Sequence, residues 1–264
     1  MDDTWEQIVP FAMYVAMFLA IAFIDYLYMQ VGIDSKKIIR ADLFALAPTR
    51  PSNSILGIIF GGLGLFTFMN CFNEFSGTFE PIWCACSFLL IVAWFMAFLL
   101  EIFSLSSICL LATIMSSFQI ILDVPKTHDF MHLGSGYILG LFFGLLISAT
   151  LANIFIFIQQ RGIEGGAEST ALNVAYIVLL FVSHIAITLL LDVETLEMCW
   201  TVSFVLLWTV HWALWRVDEM DTSGETLQYG IGVALASAVV LNTILRVFFM
   251  HDYFGNLADL DITI

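Results

Sequence analysis

His128 and His132 stand one helical turn apart in the stretch Asp123-Val124-Pro125-Lys126-Thr127-His128-Asp129-Phe130-Met131-His132. On a helix, an i, i+4 pair points both imidazoles to one side, the geometry by which zincin histidine pairs hold a single metal ion. The Glu of an HExxH motif is missing, and two ligands do not complete a site. The spans laid out below bring His184, Asp192 and His251 to the same depth. These residues form an expected outer-face cluster for a divalent metal ion that would activate water on a lipid or small substrate. The bland alternative is a set of interfacial histidines satisfied by water and by neighbouring helices.

A second set carries charge where charge is expensive. Asp25 follows eighteen uncharged residues, and Glu101 divides two long apolar runs. His211 sits one turn from the end of another run. An ionisable group inside a bilayer costs several kcal/mol and is a functional candidate by default. Asp25, Glu101 and His211 are expected on the inner side, as a polar cluster able to bind or relay a cation. Each alone also reads as a helix-terminal or snorkelling group near water.

The elements that must position these residues follow from composition. The chain has 264 residues, 61% hydrophobic and only 12% charged, against about 25% charged in soluble domains, with 23 acidic and 8 basic residues for a net charge of -15. Mean hydropathy is +0.96. A soluble domain is excluded, and so is nucleic-acid binding, since so few cations cannot neutralise a phosphate backbone.

A transmembrane helix needs about 20 apolar residues. Eight runs of about that length occur: 8–31, 54–73, 82–100, 102–122, 130–158, 169–191, 198–215 and 227–250. They lack the polar-apolar alternation of barrel strands, so helices are expected. The predicted fold class is an all-α polytopic transmembrane bundle of eight helices, forming one membrane domain over residues 1–264. Seven spans result if the segments around Glu101 are tilted or re-entrant, because no Gly or Pro separates those two runs.

Basic residues gather in cytoplasmic loops. Lys36, Lys37, Arg40, Arg50, Arg161 and Arg216 fall on one side of an eight-span chain, and Lys126 and Arg246 on the other. The expectation is a plasma or inner membrane protein with both termini external and a strongly acidic outer face. The loop 32–53 is then cytoplasmic, and its amphipathic middle reads as a short interfacial helix. The amino terminus lacks the basic region of a signal peptide, so no cleaved segment is expected.

Small-residue stripes at i, i+4 spacing, Gly57 and Gly61, then Gly136, Gly140 and Gly144, then Gly230, Ala234 and Ala238, predict close helix packing. The two glycine-rich helix starts, running in opposite directions, also suggest an inverted repeat of the second to fourth against the fifth to seventh helices. The five cysteines lie in or beside apolar runs without a CxxC and read as buried thiols. Lys36, Lys37 and Lys126 all lie outside mid-membrane positions, which excludes a retinal Schiff base, and no P-loop is present for a nucleotide.

Three function classes fit. The first is a cation or proton channel or transporter with an acidic outer vestibule. The others are a non-catalytic subunit associating with further membrane subunits or with copies of itself, and a metal-dependent membrane enzyme using the outer histidines. The partner common to all three is the lipid bilayer.

Overall fold

The computed structural model describes residues 4–30, 54–72, 80–123, 130–161, 170–190, 201–211, 228–241 and 244. Among them the chain is all-helical: α1 (Thr4–Gln30), α2 (Ser54–Met69), α3 (Pro81–Leu99), α4 (Phe103–Asp123), α5 (Phe130–Gln160) and α6 (Thr170–Leu190), then α7 (Thr201–His211) and α8 (Gln228–Leu241). Each element falls on one expected apolar run. Among the described residues, four segments are long and apolar enough to cross a bilayer: Gln7–Leu27, Pro81–Leu99, Phe103–Leu122 and Gly134–Ile158.

Contacts between helices give their directions. Gln7 O accepts from Asn70 Nδ2 at 3.3 Å, and Phe60 O accepts from the Tyr14 hydroxyl at 2.6 Å, so α1 and α2 are antiparallel. Ser87 Oγ lies 2.8 Å from Ser116 Oγ and 3.3 Å from Ser117 Oγ, a pairing equidistant from the α3–α4 turn, as an antiparallel hairpin requires. Ser106 to Asn153 at 2.6 Å and the Phe118–Phe143 ring pair set α5 antiparallel to α4. Thr209 donates to Ser148 at 3.2 Å, and Gly144 meets Val202 and Val205, so α7 runs parallel to α5. The helices alternate in direction along the chain, and the carboxyl ends of α1, α3, α5 and α7 share one end of the bundle.

The α3–α4 junction resolves as a hairpin between two separate helices. Glu80 caps α3, accepting from Ile82 N at 2.8 Å, and Pro81 occupies the first helical position, where a missing N–H costs nothing. At the other end Glu101 N donates to Phe98 O and Ile102 N to Ala97 O, at 3.0 and 2.9 Å. Those two bonds are a Schellman motif. Its left-handed residue is Glu101, with φ 58°, a conformation that usually selects glycine.

The core combines large apolar side chains, among them Ile59, Leu63, Ile91, Phe142, Tyr176 and Leu180, with buried Ser, Thr and Asn. Where the solvent is lipid, apolar burial adds little, and helices associate through close packing and interhelical hydrogen bonds of about 0.6 kcal/mol each. Small-residue packing is borne out in part. Gly144 is required where the stripe predicts, since a Cβ there would lie 3.2 Å from Val202 Cα and 3.3 Å from Val202 O, backbone atoms that cannot rotate away. On α2 the close approaches fall at Gly62, against Ile138, and Gly64, against the Tyr14 ring, whereas a Cβ on Gly57 or Gly61 would meet nothing within 4 Å. The expected stripe on α2 is therefore displaced by one helix face, because α1 and α5 bear on the side carrying Gly62 and Gly64. Gly230 likewise meets nothing.

Candidate functional site

Along α8, Tyr229, Val233, Ala236 and Val240 return to the same face at intervals of three and four, and together with Ser237, Leu241 and Ile244 they line a groove against α7. Leu207, Val210 and His211 form the opposite wall, and the open space between the walls is about 500 Å³. This is the size of a small-molecule pocket, for which about 300–1,000 Å³ is usual. Tyr229, Val233, Val240, Leu241 and Ile244 are all exposed, so the groove opens sideways from the bundle.

Its polar groups are unevenly distributed. His211 ends α7 and Tyr229 lies in the first turn of α8, so an imidazole and a phenol lie at one end of the groove. Farther along, the Ser237 hydroxyl donates to Val233 O at 2.8 Å, a bond within its own helix. The remaining wall is aliphatic. The groove is therefore amphipathic along its length, with hydrogen-bonding groups at the end where α7 stops and hydrocarbon beyond.

The helix directions bring Asp25, Glu101 and His211 to the same end of the bundle. Asp25 lies in the last turns of α1 and is partly buried. Glu101 is exposed at the α3–α4 turn, and His211 is exposed at the end of α7. Arg161, which closes α5 at that end, stacks over the Phe157 ring at 5.1 Å.

Of the expected outer metal cluster, His184 is fully described. It is buried in α6 with Nδ1 3.3 Å from Ser203 Oγ of α7. His132 belongs to the first turn of α5, while His128, Asp192 and His251 lie outside the described residues. Among the described residues no group of three or more His, Cys, Asp or Glu side chains is gathered to hold a metal.

Sequence reasoning singled out His211 for a cation path and missed the groove. The signal was present in the 229/233/236/240/244 spacing, yet on a helix that is apolar all round, no face stands out as a ligand wall.

A family model described as TSPO-like protein matches residues 7–247, most of the chain. No curated protein and no solved structure gives a match.

Proposed function

The chain belongs to the TSPO-like protein family, a family of multi-pass membrane proteins, and from that premise we propose that it carries an amphipathic small molecule in the groove between α7 and α8. The observation that supports this is the groove itself: about 500 Å³ with aliphatic walls, His211 and Tyr229 at one end, and an opening to the side. A ligand dissolved in the bilayer reaches such a site laterally, without crossing water. Filling the groove tests the reading. Ala236→Trp should reduce uptake of an environment-sensitive amphiphilic probe by reconstituted protein at least tenfold, with helical content unchanged by circular dichroism; full uptake would sink it.

A second reading is cation or proton transport, favoured by the gathering of Asp25, Glu101 and His211 at one end. Basic residues assign that end to the cytoplasm, with both termini external. In this reading Asp25→Asn and Glu101→Gln leave the protein folded and stop cation flux in vesicles. Flux unchanged in both variants removes this reading and leaves the groove reading intact.

A further inference from the structure

Where α1 begins and α2 ends, oxygen acceptors gather without donors. Asn70 follows the last turn of α2 and is 1% exposed. Its Nδ2 donates to Gln7 O of α1 at 3.3 Å, which sets the direction of the amide. The other amide atom, Oδ1, is buried and accepts a hydrogen bond from no protein donor. Burying an acceptor unpaired is costly, and native chains rarely do it without a compensating contact.

Two backbone carbonyls beside it share that condition. Pro10 lies inside α1 and has no N–H to give Glu6 O, the carbonyl adjacent in sequence to the one Asn70 holds. Pro10 is itself buried, and the carbonyl four residues before it lies on the same face, so Glu6 O points into the bundle. On α2, Thr67 O would receive Cys71 N in a continuing helix, but Cys71 N turns to Phe68 O at 3.0 Å. Thr67 O keeps only the Cys71 thiol at 3.8 Å, a weak donor. The buried Thr67 hydroxyl donates to Leu63 O at 2.7 Å and has no second proton to offer.

An acceptor-rich spot of this kind suits a cation. It stands at the carboxyl end of α2, the negative end of the helix dipole, and the last turn of α2 carries no basic residue. All three oxygens are uncharged, whereas divalent Ca²⁺ and Mg²⁺ draw on carboxylates. Carbonyls freed in interrupted helices, together with helix carboxyl ends, are the groups that hold monovalent cations within membrane proteins. The net charge of -15 raises the local concentration of cations around the chain.

We propose that Asn70 Oδ1, Thr67 O and Glu6 O bind one monovalent alkali cation between α1 and α2. The site is independent of the α7–α8 groove, and it lies at the end of the bundle opposite Asp25, Glu101 and His211.

The full-length protein in nanodiscs is equilibrated with radioactive sodium or rubidium chloride, at an ionic strength held constant with N-methyl-D-glucamine chloride, and bound ion is counted. Saturable binding of one of the two ions is expected. Asn70→Leu removes the amide oxygen at nearly constant volume and should weaken binding about tenfold, while Asn70→Asp adds a charge and should tighten it. Pro10→Ala returns an N–H to Glu6 O and should weaken binding about threefold in a helix that alanine suits better than proline. Circular dichroism follows folding, and if Asn70→Leu does not fold, the opposite shifts of Asn70→Asp and Pro10→Ala decide. No saturable binding to the wild type would overturn the proposal, water then being what meets these acceptors. Saturable binding that is indifferent to substitution at Asn70 and Pro10 would overturn it too, since the ion would then belong to the acidic surface. Loss in Asn70→Leu with full binding in Pro10→Ala would overturn the role of Glu6 O.

Discussion

The α3–α4 and α7–α8 pairs are both sequence neighbours, yet one is shut along its length and the other holds a groove of about 500 Å³. The shut pair has buried Ser87, Ser116 and Ser117 meeting at its centre and a turn of only Leu100, Glu101 and Ile102. Small side chains let the backbones approach, and hydroxyls bonded across the gap hold them there. The open pair meets through Leu207, Val210, Val233, Val240, Leu241 and Ile244, and the Ser237 hydroxyl turns back onto its own helix. Lipid solvates aliphatic side chains as well as another helix does, so nothing drives that gap to close. In this bundle hydroxyls and small residues mark where helices join, and branched aliphatic faces mark where they part.

The largest expected effect tests what holds the open pair's inner wall. Gly144→Leu would drive a side chain into the Val202 backbone and lever α7 away from α5. A loss of about 3 kcal/mol is expected by analogy with overpacked cores, read as the midpoint shift in a mixed-micelle denaturation series, together with weaker probe binding in the groove. Unchanged stability would mean that α7 is positioned by something other than α5.

Next in size is the clamp of the shut pair. Ser87→Ala removes both hydroxyl contacts to α4, while Ser116 keeps its bond to Thr113 O. The same denaturation series should show a loss of about 1 kcal/mol, and a cysteine pair across α3 and α4 should crosslink more slowly. No change in either would show that packing alone shuts this pair.

The smallest effect has the opposite sign. Glu101→Gly relieves a left-handed backbone at an exposed turn, offset in part by glycine's greater freedom in the unfolded chain. A gain of about 0.5–1 kcal/mol is expected. Gly61→Ala serves as the control in the same assay, with a change inside about 0.5 kcal/mol, since its Cβ meets nothing. A destabilised Glu101→Gly variant would show that the carboxylate holds a contact worth more than the strain.

The spans were legible because hydrocarbon thickness sets a length that composition must match. The run 82–100 became Pro81–Leu99 and the run 130–158 became Phe130–Gln160. The Glu101 turn was not legible, because a Schellman end without glycine leaves no residue signal; only the bonds to Phe98 O and Ala97 O identify it. Ser106 and Asn153 were equally silent, since a lone Ser or Asn in an apolar run does not announce its partner 47 residues away. Of the candidate residues, Asp25, Glu101 and His211 were assigned to one side from loop charges, and the alternating helices bring them to one end. What the sequence could not supply was their separation across that end, which depends on how the helices are arranged around the bundle.

Composition and run length by themselves determined a multi-pass helical bundle, because a segment rich in apolar residues and about 20 long has one stable setting, and that setting satisfies its own backbone. Which face of each helix turns inward was left to the tertiary structure. Phe88 is buried and Leu89 exposed; Gly62 is packed and Gly61 open. In water, polarity would separate such neighbours. In a bilayer both the lipid and the protein interior are apolar, so the periodicity that reveals a buried face in a soluble helix is nearly erased, and shape, hydroxyl pairing and the meeting of particular helices decide instead.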